Sequence, residues 1–145
     1  MTTVSPILQP MAVLAGWTML MWLWMYATRI PAMGAAKIDS KTLVGGTGKD
    51  LDGKLPDKIQ WIAHNYNHLH EAPTVFYAVA LALALIGQGD GLNATLGWAY
   101  VALRIVHSLV QATVNRVMIR FLLFALSSLT LIALTLHLLL AVFQG

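Results

Sequence analysis

Arg104, His107 and Gln111 recur at three- and four-residue intervals inside an otherwise apolar stretch, so on a helix they share one face. A second stretch carries His64, Asn67, His68 and Glu71 at the same helical spacing, with Gln60, Asn65 and His70 around them. Arg29, Arg116 and Arg120 add cations at the ends of apolar runs. Arginine forks bind carboxylates through charge-assisted hydrogen bonds, so this set suits an anionic ligand with an apolar part. Metal binding is a weaker fit. His64 and His68 stand one turn apart as in helical zinc sites, with Glu71 or His107 as a third ligand. The His-Glu-x-x-His pattern that would supply a general base is missing, and hydrogen-bonded histidines are commoner, so no metal is expected. Nor does a nucleophile and base arrangement emerge: Ser108 directly follows His107, and helix neighbours point about 100° apart.

The elements that carry these residues must lie in a membrane. Of 145 residues, 58% are hydrophobic and 10% charged, against roughly 25% charged in an ordinary soluble domain. Fifteen charges cannot give so small a protein a polar skin, and the mean hydropathy is +0.69. These values exclude a soluble enzyme, a disordered chain and a secreted domain. Cysteine is absent, which rules out disulfides, a thiolate nucleophile and thiolate metal ligands. The net charge of +3 is not arranged as a stripe for nucleic acid; the basic residues bracket apolar segments. Met1–Pro10 lacks the positive region and cleavage site of a signal peptide and is expected to stay attached.

A membrane-crossing helix needs about 20 mostly apolar residues. Four candidates are read as an all-α, four-helix integral membrane bundle that fills the chain as one domain: about 7–29, 57–86, 93–115 and 117–143. Alternating ten-residue segments are missing, which argues against a β-barrel. Pro31 is expected to end the first helix. Asp57 and Gln60 read as a capping box for the second, and Asn93 as a cap for the third. Pro73 is expected to bend the second helix just beyond Glu71, because it leaves the Leu69 carbonyl without its donor. Ser127, Ser128, Thr130 and Thr135 read as interhelical hydrogen-bonding groups, and His137 as isolated. The tryptophans suit interfaces or packing.

The segment 31–56 is the one sizeable connection. It holds Lys37, Lys41, Lys49 and Lys54, with Lys58 just beyond, and Arg29, Arg116 and Arg120 fall on the same side. The positive-inside rule therefore predicts a cytoplasmic loop and both termini on the opposite side. Gly45-Gly46-Thr47-Gly48-Lys49 falls short of a phosphate cradle, since Leu43 replaces a required glycine and Asp50 the magnesium-holding hydroxyl. It reads as a flexible glycine loop that can serve as a lid.

Depth arithmetic sets Glu71 about 21 Å inside Asp57 and Arg104 about 18 Å inside Arg116, at 1.5 Å per residue. The two should meet and neutralise each other, with His68 and His107 level with them and His64 and Gln111 shallower. An arginine in mid-bilayer costs about 3 kcal/mol, so it signals a functional site. The expected shape is a polar funnel, ion-paired at its base and open to the cytoplasm.

On these residues the chain resembles the MAPEG family, the membrane-associated proteins of eicosanoid and glutathione metabolism, over nearly its whole length. Glu71-Ala72-Pro73-Thr74-Val75-Phe76-Tyr77 is similar to the family's glutamate followed by proline and phenylalanine. Arg104-Ile105-Val106-His107, with Arg120 sixteen positions after Arg104, resembles the microsomal glutathione transferases, and Arg29 matches the arginine that closes the family's first helix. The resemblance implies a homotrimer with cytoplasm-facing sites between subunits that bind glutathione. It also implies that Glu71 and Arg104, with His68, Asn67, His64, His107 and Gln111 around them, hold the tripeptide. Arg120, or Arg29, would stabilise its thiolate for transfer to a lipophilic molecule or for peroxide reduction. The chain departs from the pattern where the family's arginine and asparagine fall on His64 and His68, where Gln111 replaces a tyrosine, and in the spacing from Glu71 to Pro73. A divergent, bacterial-type member is therefore expected. The competing reading is a catalytically silent member that binds a lipid or a membrane partner; a small transporter subunit fits less well, because the polar path ends near mid-membrane.

Overall fold

The computed structural model describes residues 4–144, all helix and connecting loop, with no strand among the described residues. Five helices follow in order: α1 (Leu8–Ala35), α2 (Asp57–His68), α3 (Ala72–Leu85), α4 (Gly91–Thr113) and α5 (Val117–Gln144). A short 3-10 turn, Gly48–Leu51, lies in the long connection between α1 and α2. Three stretches are long and apolar enough to cross a membrane: α1, α5, and α2 with α3 taken together as Asp57–Leu85. At 23 residues α4 reaches about 35 Å, long enough as well. Its polar residues Arg104, His107, Ser108 and Gln111 are buried along one face.

The second span is broken, where sequence predicted a bend. Pro73 has no N–H to offer Leu69, and backbone bonds at Leu69, His70 and Glu71 tighten into a turn before Ala72 restarts the helix. Proline is harmless to α3 because it sits in the first turn, where donors need no helical partner. Pro31, in contrast, does not end α1, which continues to Ala35. Its ring orphans only the Ala27 carbonyl, and Ala27, Ile30 and Pro31 are all exposed, so that loss is not sealed inside the protein.

The main core joins all four spans: Leu14 and Met21 of α1, Phe76, Val79 and Leu83 of α3, Tyr100 and Val101 of α4, and Leu134 of α5. Polar ties cross between helices. Trp17 Nε1 donates to Ser108 Oγ at 3.0 Å, joining α1 to α4. His137 is not isolated, for its Nδ1 lies 2.6 Å from Asn93 Oδ1, joining α5 to α4. Asn93 therefore sits inside the helix rather than capping it, and Asp57 makes no capping bond. Ser127, Thr130 and Thr135 also differ from expectation: each hydroxyl donates to a carbonyl three or four residues back on α5. That satisfies the hydroxyl locally and leaves no need for a neighbouring helix. Close approach explains one glycine. A Cβ on Gly97 would lie 3.1 Å from Pro10 Cγ, so α1 and α4 pack tightly there. The same end is fastened where Ile7 N donates to Gly89 O at 2.9 Å.

Candidate functional site

Arg104 is 1% exposed, a full charge inside the bundle. Its Nη2 donates to the His68 carbonyl at 3.3 Å and lies 3.0 Å from His68 Nδ1. That carbonyl also accepts from Glu71 N at 3.3 Å, so at the break it is shared between the tightened turn and Arg104. Arginine only donates, so Nδ1 must accept and the proton of neutral His68 sits on Nε2. That nitrogen lies 3.5 Å from Glu71 Oε2. The His107 ring stacks on His68, with centroids 4.9 Å apart and planes 20° from parallel. Phe124 of α5 closes the group, 5.9 Å from the Arg104 guanidinium carbon.

The expected Glu71–Arg104 ion pair does not form. Residues 69–71 leave the helix, Leu69 turns inward, and the Glu71 side chain is 66% exposed. His68 stands between the two charges, hydrogen-bonded to Arg104 and 3.5 Å from the Glu71 carboxylate. Depth was right and azimuth was not, because a broken helix does not carry its rotation across the break.

Outside this group lies a recess of about 230 Å³ lined by His68, His107, Val117, Arg120, Phe121 and Phe124. Val117, Phe121 and Phe124 are exposed, so the recess opens on the outward flank of the protomer. Arg120 is half-buried; its Nη1 donates to Asn115 Oδ1 at 2.6 Å, and its Nε has no partner. Three larger hollows, of 410, 380 and 370 Å³, lie around the turn between α3 and α4, and an apolar one of 280 Å³ lies along α3 and α5, all away from the arginines.

The structure thus gathers Arg104, His68, His107, Glu71 and Arg120. It does not bring in the others equally. Gln111 is buried one turn beyond His107 with its Oε1 unpartnered. Asn67 is exposed, and exposed His64 pairs with Asp52 at 3.1 Å. Arg29 is engaged elsewhere: its Nη2 donates to Gly48 O at 2.9 Å and to Gln60 Oε1 at 3.3 Å. The loop thus meets α1 through a carbonyl of the glycine stretch, held by a turn in which Thr47 and Asp50 cap each other. The buried polar face of α2 is not the predicted stripe but Gln60 and Asn65. A signal for it existed: Ile62, Leu69, Phe76 and Leu83 repeat every seven positions and mark the inward face, close to Asn65. Tyr100 and Phe124 were also missed, as ordinary apolar-face aromatics.

Comparison with family models gives a match over residues 7–140, nearly the whole chain. The chain belongs to the MAPEG family. No curated protein and no solved structure matches this MAPEG chain. Among the described residues, no cluster of three or more His, Asp or Glu side chains is placed to hold a metal ion.

Proposed function

We propose that this MAPEG protein is a membrane-embedded enzyme that uses glutathione, or a related thiol, on a lipophilic substrate. Its site is the recess beside His68 and Arg120, facing the cytoplasm and completed by a neighbouring subunit of a homotrimer. The observation that carries this reading is the meeting of cation, imidazole and aromatic wall on an outward flank. A recess of 230 Å³ is small for a tripeptide, which is why the remainder is assigned to the next protomer.

Each residue then has a distinct task. Arg120 lies where a thiol sulfur would enter, and a nearby cation favours the thiolate over the thiol. The thiol proton then leaves to water at the mouth of the recess, and His107 serves as a wall beside the sulfur. Arg104, too deep to touch a ligand, acts through His68 by fixing its tautomer and orientation. Glu71, 3.5 Å from His68 but 66% exposed, keeps a carboxylate face open to the ligand's ammonium group. Phe121 and Phe124 offer the electrophile an apolar approach from lipid. In transfer, the thiolate sulfur bonds to the electrophilic carbon and the leaving group departs with the electron pair of the bond that breaks.

A second reading is a silent member that binds a lipid. It draws on the separation of Glu71 from Arg104, which removes a paired cradle for a zwitterion. Mixing the purified protein with glutathione and recording thiolate absorbance separates the two. The enzyme reading predicts a thiolate signal that Arg120→Ala abolishes. No signal, no glutathione binding and no turnover of a generic electrophile would establish the lipid reading instead.

A further inference from the structure

The turn that joins α4 to α5 holds a residue with two separate constraints on its type. Asn115 has a left-handed backbone, with a φ of 53°. Its N–H donates to Val110 O at 2.7 Å, closing the end of α4 before α5 begins at Val117. Glycine enters this backbone region freely, and asparagine and aspartate are the side-chain-bearing residues that enter it most readily. The backbone alone therefore admits glycine, asparagine or aspartate at this position.

The side chain separates these choices. Asn115 Oδ1 accepts from Arg120 Nη1 at 2.6 Å, the only hydrogen bond of the Arg120 side chain among the described residues. Arg120 makes no ion pair among them either. Glycine would leave the guanidinium untethered. Aspartate would tether it but set an opposite charge against it, and such a pair projects little field beyond itself. Asparagine alone of the three fixes the guanidinium and leaves its whole charge to whatever lies in the recess. Helix stability does not explain a cation at this point. Arg120 stands in the first turn of α5, which holds no acidic residue, and a cation there opposes the helix macrodipole. The positive helix end and the guanidinium instead add, and both favour an anion beside them.

We propose that Asn115 is a positioning residue: through a neutral acceptor it aims the Arg120 guanidinium at the recess with its charge uncompensated. Asn115 lies outside the residues that line the recess, so it acts through Arg120 and not on the ligand. The inference rests on the thiol reading above, in which Arg120 favours the thiolate, and it adds what holds that cation in place and keeps it unpaired.

The test is the pH at which bound glutathione becomes half thiolate, read by absorbance in the wild-type protein, Asn115→Gly and Asn115→Asp. Glycine suits a left-handed turn at a helix end, so Asn115→Gly should unfold no more easily than the wild type while losing the tether. Its half-thiolate pH should rise, leaving about three- to tenfold less thiolate at neutral pH. Asn115→Asp keeps both turn and bond, yet its carboxylate cancels the cation, and thiolate should fall by more than about tenfold. A residue that served the turn alone would give the wild-type titration in both variants. In an Arg120→Ala background, Asn115→Gly should cost no further turnover of a generic electrophile, because its effect passes through Arg120. Either single variant titrating as wild type would overturn the positioning role and leave the thiol reading standing. Wild-type protein that forms no thiolate would remove both.

Discussion

The two halves of the second span are neighbours in sequence and opposites in construction. In α2 the buried side chains include Gln60 and Asn65, and its last residue, His68, carries the only hydrogen bonds made by Arg104 among the described residues. In α3 the buried side chains are Pro73, Phe76, Val79, Ala80 and Leu83, all apolar. The break at 69–71 lets one span do both jobs. It ends the polar half, lets the His68 carbonyl serve both Glu71 N and Arg104, and restarts a helix whose buried side chains are apolar. Buried polar contacts and apolar packing are thereby assigned to different halves, and substitutions should sort accordingly.

The largest effect should come from Arg104→Leu. Its two bonds to His68 disappear, the imidazole loses its fixed tautomer and orientation, and ligand affinity should fall on the order of a hundredfold through that misplacement. The bundle should stay assembled, as α3 and the main core are untouched. A folded variant that still binds the parent's ligand would end the site reading, and an unfolded one would make Arg104 a lock between helices. Leu83→Ala is the counterpart in α3. It removes a fully buried side chain from the core and should cost about 2–5 kcal/mol in denaturation, while protein that remains folded binds ligand as before. Equal losses of binding from both substitutions would erase the contrast between the halves. The smallest effect is expected from His64→Ala, on the outer face of α2. Its pairing with Asp52 is solvent-exposed, so unfolding should change by less than about 1 kcal/mol, with ligand affinity unaltered.

Much of this was legible in the sequence, and the failures share a cause. Helical period and depth arithmetic placed Arg104, His68 and His107 together, because both quantities survive along a single unbroken helix. Glu71 lies three residues past His68 but beyond the break, where helical azimuth no longer applies. His64 and Asn67 were assigned inward because they share a stripe with His68, yet the apolar repeat from Ile62 to Leu83 marks the buried face. Arg29 was read as a rim cation. A loop carbonyl, which leaves no trace in residue type, occupies it instead.

The central claim is that a ligand sits in the recess on the outer flank of His68 and His107, between this protomer and a neighbour. A structure of the membrane-extracted protein with glutathione tests it most directly. Density for the tripeptide should lie against His107, with its sulfur beside Arg120 and a second chain completing the recess while Phe121 and Phe124 stay open to lipid. Glutathione absent from that recess at saturating concentration, with acyl-chain density or packed side chains in its place, would contradict it.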